Sequence, residues 1–267
     1  MLIEQDILPY SPGELPLGPW LVFAPHPDDE TFGLGGALAL AARAGIEVIV
    51  VILTDGALGG SGDPRELCAV RKTEARAAMA RLGVAELLFW DEPDRGLRVC
   101  DELIDRVAAL IDRHAPAHVF FPSPMEPHVD HRAAAELVWE GLRRSRDRHA
   151  LPAAYDITVQ GPVNRLIDIT EVITVKREAI EAYASQLREN DYYDVARALD
   201  AARIFTLPPE VRAAEGVYLW GREALRLDYA ATVKKVLEPY WSGRAIGDGG
   251  EPGRRGWFKR FIGMWMI

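Results

Sequence analysis

Trp20-Leu21-Val22-Phe23-Ala24-Pro25-His26-Pro27-Asp28-Asp29-Glu30 is the stretch on which the fold turns. The apolar run Trp20 to Phe23 reads as a buried strand bounded by prolines. One imidazole and three carboxylates then fall within five residues. Beyond them come Gly33-Leu34-Gly35-Gly36 and the apolar-periodic run Ala37 to Ala42, which reads as a helix packed closely on the strand. In an open α/β sheet, ligands bind at the carboxyl ends of strands, where this cluster sits. Adjacent acids repel one another and cost solvation, so a cation is their natural neutraliser. The plainer alternative is that Asp28, Asp29 and Glu30 only cap the helix start.

Outward from this stretch, strand and helix patterns alternate. Glu47 to Leu53 is a β-branched run, the signature of a strand covered on both faces. Thr54-Asp55-Gly56 and the loop Gly59-Gly60-Ser61-Gly62 lead to a helix from Pro64 to Leu82, closed by Gly83. Glu86 to Trp90 reads as a strand, Asp91 to Gly96 as a loop, Asp101 to His114 as a helix and His118 to Phe121 as a strand. His128-Val129-Asp130-His131 then opens a helix to about Arg144. Weaker strands are expected over Ala154–Val159 and Arg165–Ile169, and a helix over Glu171–Arg188; Glu215 to Trp220 is left unplaced. The pattern predicts an α/β chain with a Rossmann-like, doubly wound, mostly parallel sheet. One domain is expected over residues 1–240. Residues 241–256, with six glycines, read as a linker, and 257–267 as an amphipathic tail.

Composition narrows the function. The chain of 267 residues is 49% hydrophobic, enough for one sizeable core. Its net charge of −9 argues against nucleic acid as the main partner. Two cysteines, Cys68 and Cys100, without a Cys-x-x-Cys motif make a disulfide framework unexpected and point to a reducing compartment. No signal peptide and no run long enough to cross a membrane is read, so a cytoplasmic protein is expected.

The cluster His128-x-Asp130-His131 also follows a strand. With the common strand order 3-2-1-4, the first and fourth strands are neighbours whose connections leave in opposite directions. Their carboxyl ends would bring both clusters together. Two imidazoles and one carboxylate with an open position suit a catalytic zinc ion, and the lack of soft ligands does not exclude iron(II), cobalt or manganese. The pair Ala-Pro-His-Pro-Asp-Asp-Glu and His-x-Asp-His resembles the PIG-L/LmbE-like family of zinc-dependent N-deacetylases, over roughly Leu21 to Trp220. Thr54-Asp55-Gly56, Arg71-x-x-Glu74, Asp94, Lys176 and Tyr183-Ala-Ser-Gln186 add to the likeness.

The resemblance implies removal of an acetyl group from an N-acetylglucosamine-type sugar or its nucleotide- or lipid-linked conjugate. It makes His26, Asp29 and His131 the metal ligands and Asp28 the general base. His128 becomes the general acid or oxyanion stabiliser, oriented by Asp130. Arg71 and Asp94 would contact sugar hydroxyls or a neighbouring phosphate. The sequence departs from the family at Val129, where proline is usual, and at Glu126, where some members carry a tyrosine at the reacting centre.

Other readings stand beside these. Arg71 and Glu74 could form only a surface ion pair and Asp94 only a turn; Tyr183, Ser185 and Gln186 could line the site or pack a helix. The rival functions are another metal hydrolase on the same ligands, such as a phosphoesterase, and a non-catalytic sugar-binding protein. In the tail, Trp257, Phe258, Phe261, Ile262, Met264 and Trp265 share one helical face, opposite Lys259 and Arg260. That pattern suits an interfacial helix on the inner face of an anionic bilayer, or docking on the chain's own core or on another subunit.

Overall fold

The computed structural model describes residues 11–242. Its elements run β1 (Ser11–Pro12), β2 (Trp20–Ala24), α1 (Asp29–Arg43), β3 (Val48–Thr54), α2 (Pro64–Leu82), β4 (Glu86–Glu92), α3 (Asp101–His114) and β5 (His118–Pro122). There follow α4 (Val129–Arg144), β6 (Leu151–Tyr155), β7 (Arg165–Asp168), α5 (Ile173–Ile180), α6 (Ala184–Leu187), α7 (Tyr192–Ala202), β8 (Ala214–Leu219) and α8 (Tyr229–Ser242). The strands form one eight-stranded sheet in the order β4-β3-β2-β5-β6-β8-β7-β1. β8 runs antiparallel to β6 and β7, and every other pair is parallel. The expected order of the first four long strands is therefore present.

β2 sits in the middle because both of its faces are apolar. Trp20, Val22 and Ala24 pack with Leu34, Leu38, Met79 and Ile180 from α1, α2 and α5. Leu21 and Phe23 pack on the opposite face with Ile104, Val107, Leu137 and Val138 from α3 and α4. Side chains alternate between faces along a strand, so one continuous apolar run serves two cores. The chain leaves β2 toward α1 on one face and leaves β5 toward α4 on the other. That reversal opens a crevice between the two strand ends.

Local chemistry sets the helices. The Asp63 carboxylate accepts hydrogen bonds from the N–H groups of Arg65 and Glu66, and Pro64 occupies the first turn of α2. Gly83, at φ 79°, closes that helix in the left-handed conformation. Gly33 lets α1 lie against the end of β6: a Cβ there would collide with the Asp156 carbonyl and the Tyr155 ring.

Three expectations are revised. The helix expected over Glu171–Arg188 is a 3₁₀ turn at Thr170–Val172 followed by α5 and α6. Glu74 explains the break, because its carboxylate accepts the Ser185 N–H (2.8 Å) and hydroxyl (2.6 Å) at the start of α6. The unplaced stretch is β8, and α7 and α8 were not anticipated. Residues 241 and 242 close α8 rather than start a linker, and the tail at 257–267 lies outside the described residues. No described helix is long and apolar enough to cross a membrane.

α1, α5, α7 and β8 meet at one buried ion cluster. Lys176 Nζ lies 2.7 Å from Asp200 Oδ2 and 2.8 Å from Glu215 Oε1. The Glu215 carboxylate also accepts the N–H groups of Gly36 (2.7 Å) and Ala37 (2.8 Å) in α1. Burial pulls the Lys176 ammonium down, but the two carboxylates outweigh it and hold it above its ordinary value. Removing one partner of a buried pair strands the other charge, typically at a cost of about 3–5 kcal/mol. Glu215→Ala is therefore expected to lower unfolding stability by about 3 kcal/mol or more in urea titrations. Glu171→Ala, which removes only an exposed partner of Arg43, should change it by less than about 0.5 kcal/mol.

Candidate active site

The loop after β2 and the first turn of α4 put three imidazoles at the strand reversal. Ring centroids are 4.7 Å apart for His26–His128, 5.3 Å for His26–His131 and 5.1 Å for His128–His131. Asp29 joins them: its Oδ2 lies 3.0 Å from His26 Nδ1 and 3.1 Å from His131 Nε2. The three residues expected to ligate a metal thus converge through one carboxylate oxygen. His26, His128 and His131 also form a cluster close enough to hold an ion, as do His26, Asp94, His128 and Asp130.

The His26 and His131 rings are each backed by further carboxylates. His26 Nε2 lies 3.1 Å from Asp130 Oδ2 and 3.4 Å from Asp94 Oδ1. His131 Nδ1 lies 3.2 Å from Glu126 Oε2. Burial alone would lower the pKa of these imidazoles, but the carboxylates override it: His26 is raised and His131 is pushed up to about 9. Burial likewise opposes ionisation of Asp29, yet the His131 and His26 rings hold it well below the usual carboxylate range. The centre therefore favours positive charge.

Asp28 behaves differently from its neighbour. Its backbone sits at φ 151°, a conformation L-residues rarely adopt, held by hydrogen bonds from the Thr31 (3.0 Å) and Phe32 (2.9 Å) N–H groups to its carbonyl. Burial lifts its carboxyl to about 7, against the pull of Arg71. Arg71 is 2% exposed and its guanidinium donates to Asp28 Oδ2 (2.9 Å), Gly56 O (2.9 Å) and Pro27 O (3.1 Å). Glu30, buried beneath, accepts the Tyr183 hydroxyl at 2.5 Å and the Thr31 hydroxyl at 2.8 Å. Tyr183 is thus a packing residue, while Gln186 lines the cavity.

The cavity measures about 490 Å³ and contains His26, Asp28, Asp29, Arg71, Asp94, His128 and His131 in its wall. Arg71, in the cavity wall, has both terminal nitrogens bonded, to Asp28 and to two carbonyls. The Asp130 carboxylate faces His26 and accepts the N–H groups of Arg95 (2.6 Å) and Leu97 (3.2 Å). Only its backbone N–H meets His128, donating to Nδ1 at 3.2 Å. Asp94 reaches the wall, but its Oδ2 is occupied by the Leu58 N–H at 2.9 Å.

Similarity to known proteins matches this geometry. Residues 21–142 fit the family model described as PIG-L, GlcNAc-PI de-N-acetylase. A diacetylchitobiose deacetylase of Thermococcus kodakarensis is 31% identical over 189 residues, covering 64% of this chain and 70% of that protein. The chain belongs to the PIG-L family. A 4-oxalmesaconate hydratase of Pseudomonas putida is 30% identical over 196 residues, or 65% of this chain and 76% of its own length. Among solved structures, the N,N'-diacetylchitobiose deacetylase of Pyrococcus horikoshii superposes with a TM-score of 0.69 at 25% identity, covering 76% of this chain and 84% of that one.

PIG-L deacetylases are metal-dependent, and the donors of this PIG-L chain fit such an ion. Nitrogen and carboxylate ligands converge, and the carboxylates behind both rings fix which nitrogen faces the centre. Sequence reasoning missed the opposite wall of the site. Tyr192, Val195 and Ala196 of α7, with Phe32 and Ile157, make it apolar; Phe32 and Tyr192 stack with ring centroids 5.4 Å apart. The spacing Tyr192, Val195, Ala196, Leu199 was a readable helical signal. Because Asp130 backs His26, Asp130→Asn should weaken metal affinity about 10- to 100-fold, measured by competition with a chromophoric chelator. Unchanged affinity would return the carboxylate to a role at His128.

Proposed function

We propose that this chain is a zinc-dependent hydrolase that removes an N-acetyl group from an N-acetylglucosamine-type sugar or its conjugate. The observation that carries the reading is the division of labour between two adjacent acids. Asp29 faces the two rings that would share a metal, while Asp28, turned away by its backbone, is held by Arg71 at the same cavity. A divalent cation held by His26, Asp29 and His131 supplies Lewis acidity and makes water nucleophilic near neutral pH.

The remaining chemistry belongs to side chains. Asp28 takes a proton from the attacking water, and Arg71 fixes its orientation. His128 Nδ1 accepts the Asp130 N–H, so the neutral ring carries its own proton on Nε2. Burial and the two neighbouring imidazoles lower the pKa of His128, which favours that neutral form. His128 therefore serves best as a hydrogen-bond donor to the oxyanion that forms from the amide carbonyl. The proton held by Asp28 then passes to the departing nitrogen, leaving acetate and a free amine.

The proposal extends to a cytoplasmic enzyme acting on small amino-sugar molecules, with residues 257–267 as the segment that would meet a membrane surface or a second copy. Its test is free-amine release from N-acetylglucosamine conjugates. Release should stop with chelator and return with zinc. Asp28→Asn should lower kcat by about 10²- to 10⁴-fold while metal binding persists. If metal-loaded protein releases no amine but hydrates an unsaturated acid, the chain shares its chemistry with the hydratase instead. Loss of metal from Asp28→Asn would reverse the roles given to Asp28 and Asp29.

A further inference from the structure

Most charged groups in the cavity wall are already committed. Arg71 spends its two terminal nitrogens on Asp28 and two carbonyls, and Asp94 is shared between His26 and the Leu58 N–H. The acids of the adjoining loops are likewise matched. Lys72 lies 2.5 Å from Asp91, Arg106 lies 3.8 Å from Glu92, and Asp55 accepts the N–H groups of Ala57 (3.0 Å) and Asp94 (3.2 Å).

Arg95 is the exception. It lines the cavity and is exposed, and among the described residues its guanidinium has no hydrogen-bond or ion-pair partner. Its main chain, by contrast, is fixed. The residue adopts φ 58°, its N–H donates to Asp130 Oδ2 at 2.6 Å, and the following Gly96 N–H donates to Pro93 O at 2.9 Å. The same Asp130 oxygen lies 3.1 Å from His26 Nε2. Arg95 thus brings an unpaired guanidinium to the cavity wall from a backbone whose N–H shares the Asp130 carboxylate with the His26 ring. Arginine presents a rigid fork that matches carboxylate and phosphate oxygens.

We propose that Arg95 is a specificity-determining residue of this site and that the preferred substrate carries an anionic group, a carboxylate or a phosphate, on the sugar or its aglycone. The inference rests on the deacetylase reading for the sugar, but the anion preference can be measured apart from turnover. The probes are three glucosamine derivatives without an amide to cleave: the methyl glycoside, the carboxymethyl glycoside and the 1-phosphate. Isothermal titration into zinc-loaded protein should show both anionic probes binding at least tenfold more tightly than the neutral one. Arg95→Gln should abolish that preference while changing affinity for the methyl glycoside by less than twofold, and Arg95→Lys should restore part of it. The tighter of the two anionic probes names the source of the charge. Equal affinity for all three probes in the wild type, or a preference that survives Arg95→Gln, overturns the proposal. Amine release from the corresponding N-acetyl compounds reports separately on the deacetylase reading.

Discussion

One carboxylate oxygen, Asp29 Oδ2, lies within 3.1 Å of nitrogens from two imidazoles about a hundred residues apart in sequence. That contact requires β2 and β5 to be neighbours, their following helices to leave on opposite faces, and α1 to begin within the loop after β2. Each requirement has its own cause. The continuous apolar run of β2 buries both faces, and Gly33 lets α1 settle against β6. The Glu215 carboxylate, neutralised by Lys176, then ties the third turn of α1 to β8. The site is the place where these packing solutions meet.

So many buried acids would be unstable together without internal compensation. Arg71 answers Asp28, the His26 and His131 rings answer Asp29, and backbone N–H groups answer Asp94 and Asp130. The compensation is directional as well as electrostatic. Asp130 and Glu126 each hold the far nitrogen of a ring whose near nitrogen faces Asp29, so the donor set is aimed before any ion arrives. The apolar wall from α7 and Phe32 completes the arrangement by limiting water on the side opposite the ligands, which strengthens charge interactions inside.

The fold was legible where periodicity and burial coincide. β2, β3, α2, α3 and β5 follow directly from apolar runs, caps and a closing glycine, and the strand order follows from the alternation. The convergence of His26, Asp29 and His131 was legible because the resemblance carries those three positions as a set. Legibility failed where a residue's partner lies far away in sequence. Nothing around Arg71 announces that its guanidinium crosses to Asp28 and Pro27, and Glu74 breaks a helix more than a hundred positions downstream by capping α6. Asp130 was given to His128 because they are adjacent in sequence. The helical turn instead carries its carboxylate toward His26.

Glu126 shows how one substitution redistributes roles at such a site. Where some family members place a tyrosine at the reacting centre, this chain has a fully buried carboxylate. It cannot act on substrate, because its oxygens are taken by His131 Nδ1 (3.2 Å), the Ile157 N–H (2.8 Å), the Thr158 N–H (3.0 Å) and the Thr158 hydroxyl (2.5 Å). Burial opposes its ionisation, yet these donors hold its pKa below the ordinary value. Glu126 therefore joins the His131 ring to the segment that forms one wall of the cavity, so the shape of the wall and the aim of His131 are set together. A tyrosine hydroxyl could not accept all four bonds. That leaves His128, the imidazole of the three that no carboxylate holds by a hydrogen bond among the described residues, as the side chain available for the oxyanion role proposed for it.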